Sequence, residues 1–501
     1  MKPALFVMLV AGVANAQSVQ RALIGKQLTL DIDAAPLPNL TYQLDCMAKL
    51  MPCSADAYRA LWSEWQWSAD DEKALATWAE IHQRYQGSIR LRDERRSNLG
   101  YPLEPRGPNV ASRLRHAGLV ATDIASYRSH LALLVLPADA DAATQVLTRF
   151  WPRFEKWWKT KALKQLSSFL QAMTTLIAKK DLLTFIEKAE SFYEADLPSG
   201  FHIPMHLMFR PVGKGATHGQ QLEQHSIVEV VEGEKPEGRV DVVAHELFHF
   251  FFWSRSGPKT EALMKAFIDA PAPESLMALG LLNEALATAL GNGLVAKRVL
   301  TTEKFDAQLK KPNALYNDPA IDSDAKQLLT PVEMLLAEGK TISSAEFVNA
   351  QIGAASANGA TPSHYLRTMQ LFFDPEFTDV TGALRRAVFA NSVWSSCPLA
   401  HPQTIETLNE APLLSGVVLV APTQLSHLST WPQLNQKTRD ALAAEAKRGA
   451  PFIYAVKRGE KAWLWVLVAA DSAAMTTLIE RLPCAPAPVE GVVSSAECVT
   501  R

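Results

Sequence analysis

Cysteine is scarce in this chain, and no stretch is dominated by one sign of charge. Five cysteines are spread over 501 residues, and none forms a Cys-x-x-Cys pair. That argues against a zinc ribbon or a dithiol redox centre. The few cysteines suit an oxidising compartment. Cys46 and Cys53 stand close enough to staple one loop, Cys484 and Cys498 could tie down the proline-rich C-terminus, and Cys397 is left over. Lys and Arg number 50 against 52 Asp and Glu, so there is no basic field for nucleic acid and no acidic tail. The mixed-sign cluster at 90–96 reads as a solvated face. Beyond the first residues no run reaches transmembrane length, and no stable membrane insertion is expected.

Met1 and Lys2 precede an apolar run, and Ala14-Asn-Ala16 follows as a small-x-small cleavage site. This is the pattern of a bacterial secretory signal peptide, residues 1–16, too short for a membrane anchor. The mature chain is expected to begin at Gln17 and to be exported to a periplasm or the extracellular space. No cysteine follows the cleavage site, so no lipid anchor is expected.

The most informative stretch is 240–253, which contains His245-Glu246-x-x-His249. Val242, Val243, Leu247, Phe250, Phe251, Phe252 and Trp253 surround that motif with apolar residues nearly all round, as in a helix at the centre of a domain. Asp241 is placed to cap its start, and Gly257-Pro258 to stop it. On a helix, His245 and His249 lie four apart on one side, close enough to share a tetrahedral zinc ion. Glu246 would then stand beside the metal, where it can take a proton from water. Burying three titratable groups among phenylalanines is costly without a metal or hydrogen-bond partners.

Two histidines leave a zinc site short of a ligand, and a glutamate from a packed neighbouring helix commonly supplies it. The second apolar helix expected, ending at Gly291-Asn-Gly293, has one carboxylate in its interior, Glu284. Glu261, Asp269 and Glu274 are rivals, but their polar or proline-rich surroundings suit solvated loops.

With His245, Glu246 and His249 followed by Asn283, Glu284 and Ala287, the chain resembles the gluzincin metallopeptidases, the group that includes thermolysin and the zinc aminopeptidases. Their signature is His-Glu-x-x-His, then Asn-Glu-x-x-Ala or close to it. The resemblance covers some tens of residues. The gap from His249 to Glu284 is longer than in the best-known members, which requires an inserted loop or helix. The Gly-Ala-Met-Glu-Asn pattern of the zinc aminopeptidases is absent. The resemblance implies a zinc-dependent peptidase acting on a peptide or protein substrate, with one Zn2+ held by His245, His249 and Glu284 and Glu246 as general base. It also implies a Tyr or His from a later segment as oxyanion donor: Tyr365 and His364 first, Tyr316 third. Thr288 and Asn283 are placed to support the ligands. A non-catalytic binding or adaptor protein with structural zinc on the same scaffold is the competing expectation.

The overall class expected is α+β and mainly helical. Residues 17–198 read as a helical region after one strand at 27–32, with helices over 142–161 and 162–194. Trp62, Trp65, Trp67, Trp78, Trp151, Trp157 and Trp158 read as packing rather than a carbohydrate platform. Residues 199–396 form the expected gluzincin-like domain, opening with strands at 201–209 and 226–231 around a glycine-rich loop. By the resemblance, the later strand would border the cleft and pair with an extended peptide. His202, His206, His218 and His225 read as ordinary sheet and loop histidines. Helices follow over 321–338, 344–355 and 362–373. Residues 397–412 read as a linker, 413–482 as a small α/β unit, and 483–501 as a tail.

Overall fold

Short runs rich in apolar and β-branched residues supply most of the strands, which assemble into two mixed sheets among many helices. The computed structural model describes residues 18–85, 98–102, 110–359, 361–485 and 488–493. The expected signal peptide, the cluster at 90–96 and the partner expected for Cys484 lie outside them. The fold is α+β and mainly helical.

The first sheet contains β1 (Val19–Ile24), β2 (Leu28–Ala34), β3 (Phe201–Arg210), β4 (Gly219–Leu222) and β5 (His225–Val231), in the order β1-β2-β3-β5-β4. β2, β3 and β5 are parallel to one another, and β1 and β4 close the edges antiparallel. From Met205 onward β3 is buried on both faces, which suits a central parallel strand. The strand expected to border the cleft, β5, is interior. The edge is β4, within the glycine-rich loop.

The second sheet contains β6 (Thr368–Phe373), β7 (Ser392–Ser396), β8 (Gly416–Val420), β9 (Phe452–Arg458), β10 (Ala462–Val468) and β11 (Gly491–Val492), in the order β11-β9-β10-β8-β6-β7. The helix expected over 362–373 is instead one turn, Pro362–Tyr365, followed by β6. β6 lies between β7 and β8, with Thr368 to Phe372 buried on both faces. A short, mostly apolar run carries no clear periodicity to separate a strand from a buried helix.

Each sheet draws strands from both sides of an expected boundary. β2 comes from the helical region and β3 from beyond residue 198, while β6 and β7 precede the expected linker and β8 follows it. That linker contains the helix Pro402–Glu410, whose Leu408 is fully buried. One buried apolar cluster reaches from Leu23 to Leu482.

The N-terminal helices pack their tryptophans inward. Trp62, Trp78 and Trp158 have at most 1% exposure, and Trp62 meets Phe150 edge-on at 5.1 Å. This is core packing. Cys46 and Cys53 form the expected disulfide, and Cys397 is free and exposed. Between these helices Asp71 is a closed clasp. It accepts from Arg149 Nε at 2.7 Å, from Arg153 Nη1 and Nη2 at 2.9 and 2.8 Å, and from the Ser68 N–H at 2.9 Å.

Candidate metal centre

The helix Val240–Trp253 runs through the protein interior because, its titratable residues apart, it is apolar nearly all round. Val243, Ala244, Leu247, Phe248 and Phe251 are at most 1% exposed. Its cap position is Arg239, not Asp241, whose Oδ2 lies 3.4 Å from Asn292 Nδ2. Gly257-Pro258 does not merely stop this helix. It opens the next one, Gly257–Asp269, with proline in the first turn where its missing N–H costs nothing. That helix fills the long gap before Glu284.

The glutamate helix, Ser275–Thr288, does not end at Gly291-Asn-Gly293 as expected. It passes through a π-helical turn, Ala289–Val295, into Ala296–Val299. A Cβ on Gly291 would fall 2.7 Å from His245 Cα, and one on Gly293 would fall 2.2 Å from Leu329 Cδ2. These glycines serve close approach between helices, and π-turns of this kind gather at functional sites. The span Ser275–Val299 is long and apolar enough to cross a membrane, yet it is mostly buried inside the fold.

These two helices bring the three expected ligand atoms together. His245 Nε2 and His249 Nε2 are 3.0 Å apart, and Glu284 Oε2 lies 3.7 and 3.5 Å from them. The group could hold a metal ion. Glu284 Oε2 is buried and has no hydrogen-bond partner, so a lone pair there is free for a cation. Two imidazole nitrogens aimed at each other likewise need a proton or a cation between them. The donor set therefore fits a divalent ion that accepts nitrogen and oxygen. Asn283 stands where support was expected, its Oδ1 3.0 Å from His249 Nδ1. It accepts the Nδ1–H and leaves the Nε2 lone pair facing the cluster. Thr288 is fully buried, and its hydroxyl makes no hydrogen bond; it does not play the supporting role expected of it.

Glu246 is 6% exposed and lies beneath the edge strand. A Cβ on Gly219 would fall 2.3 Å from Glu246 Oε1, so a larger residue there would push the Glu246 carboxylate aside. Burial pushes Glu246 up to about 7, with Glu284 pushing the same way and His249 opposing. Burial, with His249 adding, pushes His245 down to about 3. It would lower His249 too, but the Glu284 and Glu246 carboxylates outweigh it and carry that imidazole up to about 9. Glu284 is held well below the carboxylate range: burial opposes this, and the two imidazoles prevail. Glu284 and His249 thus hold a buried negative charge and the positive charge it draws at a single point.

A cavity of about 280 Å³ opens over this point, lined also by Trp253, Tyr316 and the β4 residues Gly219 to Gln221. Tyr316 stacks on His245 with ring centres 5.9 Å apart, and its hydroxyl favours the ionised form of Glu284. The two residues placed ahead of it are elsewhere. His364 Nδ1 is occupied by Thr361 Oγ1 at 3.0 Å, and Tyr365 packs 6.1 Å from Trp465. Neither lines the cavity. Their placement followed from the helix expected over 362–373, which does not form. Tyr316 stands just before Asp318, the cap of the helix Pro319–Ala337; the Asn-Asp-Pro that follows it is the signal for that helix start. The rival Asp269 is exposed and paired with Lys265 at 2.6 Å.

The sheet histidines are less ordinary than expected. His206 is buried, its Nδ1 2.9 Å from Asp33 and its Nε2 2.8 Å from His225 Nδ1. His225 Nε2 in turn lies 3.1 Å from His116. Parallel pairing of β2, β3 and β5 builds this string from residues far apart in the chain, and local pattern carries no sign of it.

No protein-family model, curated protein or solved structure matches this chain.

Proposed function

We propose that this chain is an exported zinc peptidase of gluzincin type, with His245, His249 and Glu284 as the ligands of one Zn2+ and Glu246 as general base. The observation that carries the reading is the convergence of three ligand atoms under a cavity that Glu246 also lines. Zinc, when bound, supplies Lewis acidity that polarises a carbonyl and acidifies water near neutral pH.

The chain's own residues supply the rest. β4 bonds to β5 along one side and ends the sheet order on the other, so its outer N–H and C=O groups are placed to pair with an extended peptide. That pairing would hold the scissile carbonyl over Glu246. The Glu246 carboxylate takes the proton of the attacking water and returns it to the leaving amine. The Tyr316 hydroxyl donates to the developing oxyanion, an interaction worth a few kcal/mol in the transition state. Asn283 fixes the tautomer of His249 throughout.

The test is a fluorogenic peptide library assayed with the purified protein, with chelator, and after zinc is restored. Turnover that disappears and returns is the expected result. Stoichiometric zinc with no turnover on any peptide would overturn the catalytic reading and leave a binding protein.

A further inference from the structure

A second cavity, about 710 Å³, adjoins the metal centre, and Glu284 and Tyr316 line both. Its charges are unevenly committed. Arg367 is buried, and its guanidinium is spent on Asp318 through a paired contact, with Nη2 to Oδ1 at 2.9 Å. Glu284 faces the imidazoles. Arg385 and Arg386, on the short helix Thr381–Ala387, also line this cavity. Both are exposed, and among the described residues neither carries an ion pair. A helix dipole favours basic residues in the last turn on any face; here both line the cavity.

Phe389 is the second feature. The helix ends with the Phe389 N–H on the Arg386 carbonyl at 3.2 Å and the Ala390 N–H on the Arg385 carbonyl at 2.9 Å. That pattern places its turning residue in the left-handed region, where glycine is the usual choice. Phe389 occupies it with φ of 51°. Burial does not repay the strain, because the residue is 48% exposed; its carbonyl accepts from Arg367 Nη1 at 3.3 Å. A bulky apolar ring is thus held at a costly position, over the Arg367 guanidinium at 5.4 Å, and it lines the same cavity as Arg385 and Arg386.

We propose that this cavity is a carboxylate subsite of the proposed peptidase, resting on that reading of the metal centre. Arg385 and Arg386 take up a substrate carboxylate, from the peptide's C-terminus or from an acidic side chain, and Phe389 packs against the apolar residue beside it. The planar fork of N–H donors on a guanidinium matches the two oxygens of a carboxylate.

The test uses zinc-loaded protein carrying Glu246→Gln, so that binding is read without cleavage. Fluorescein-labelled hexapeptides are compared as free acids and C-terminal amides, each with one internal glutamate or glutamine. Tight binding is expected for at least one acidic form, and Arg385→Ala/Arg386→Ala should weaken it at least tenfold while the fully neutral peptide is unaffected. Loss on amidation identifies the terminal carboxylate as the ligand; loss on the glutamine change identifies the side chain. Phe389→Gly should weaken the same peptides while raising the melting temperature. Equal binding of acidic and neutral peptides, an unchanged double variant, or no binding at all would overturn the subsite. Cleavage by the parent protein is scored separately. Arginine-dependent binding without cleavage would sink the peptidase and keep the subsite, and cleavage without arginine dependence would do the reverse.

Discussion

Two buried carboxylates, one in the N-terminal helical layer and one at the metal centre, show how differently the same group can be used. Asp71 is 1% exposed at its side chain and is saturated by two arginines and a backbone N–H. Burial opposes its ionisation, but Arg153, the Ser68 N–H and Arg149 outweigh it and hold the carboxyl well below the usual range. Glu284 is likewise held below that range, yet its buried Oε2 makes no hydrogen bond. A buried charge whose partners come from the chain is a clasp, whereas one whose surroundings aim lone pairs at a common point awaits a ligand.

The comparison breaks if substitutions in the two regions have interchangeable effects. The largest effect is expected from Glu246→Gln. It should lower peptide cleavage by about 10³-fold or more while zinc content and melting temperature hold; steady-state kinetics beside metal analysis would check this. Next, Asp71→Ala should cost about 3 kcal/mol in chemical denaturation, the low end for a broken buried pair because the guanidiniums reach solvent. Zinc affinity should not change. Asn283→Ala should weaken zinc binding by about 10- to 100-fold with little loss of fold stability, as titration against a competing chelator would show.

The smallest effect is in pH. The Asp71 carboxyl titrates lower when folded than when unfolded. Its contribution is therefore fully present above the unfolded value near 4 and is lost as pH falls through the folded one. Wild type and Asp71→Asn should accordingly converge in stability on acidification. A gap that stays constant with pH would contradict the clasp.

What was legible in the chain follows from the range of the interactions. His245, Glu246, His249 and Glu284 could be read because titratable residues four apart within an apolar run have few other uses. The α+β, mainly helical class followed from local periodicity. The sheets did not, because β2 pairs with β3 across more than 160 residues and no local pattern records it. That pairing is also why the expected boundary at 198 crosses a continuous sheet. Gly219 and Gly291 were invisible as site residues: their role lies in what approaches them, Glu246 and His245. Gly291-Asn-Gly293 was legible only as a stop signal, since a π-turn and a helix end demand similar residues. Tyr316 stood third because a tyrosine in a connecting segment looks like packing until the helix beside it is placed.

The most direct measurement is zinc titration of metal-free protein by isothermal calorimetry, comparing wild type with Glu284→Ala. One ion per chain is expected, with affinity at least 100-fold weaker once the glutamate is removed and no comparable change in Asp71→Ala. Zinc binding that ignores Glu284, or no stoichiometric binding in the wild type, would contradict a metal centre built from these two helices.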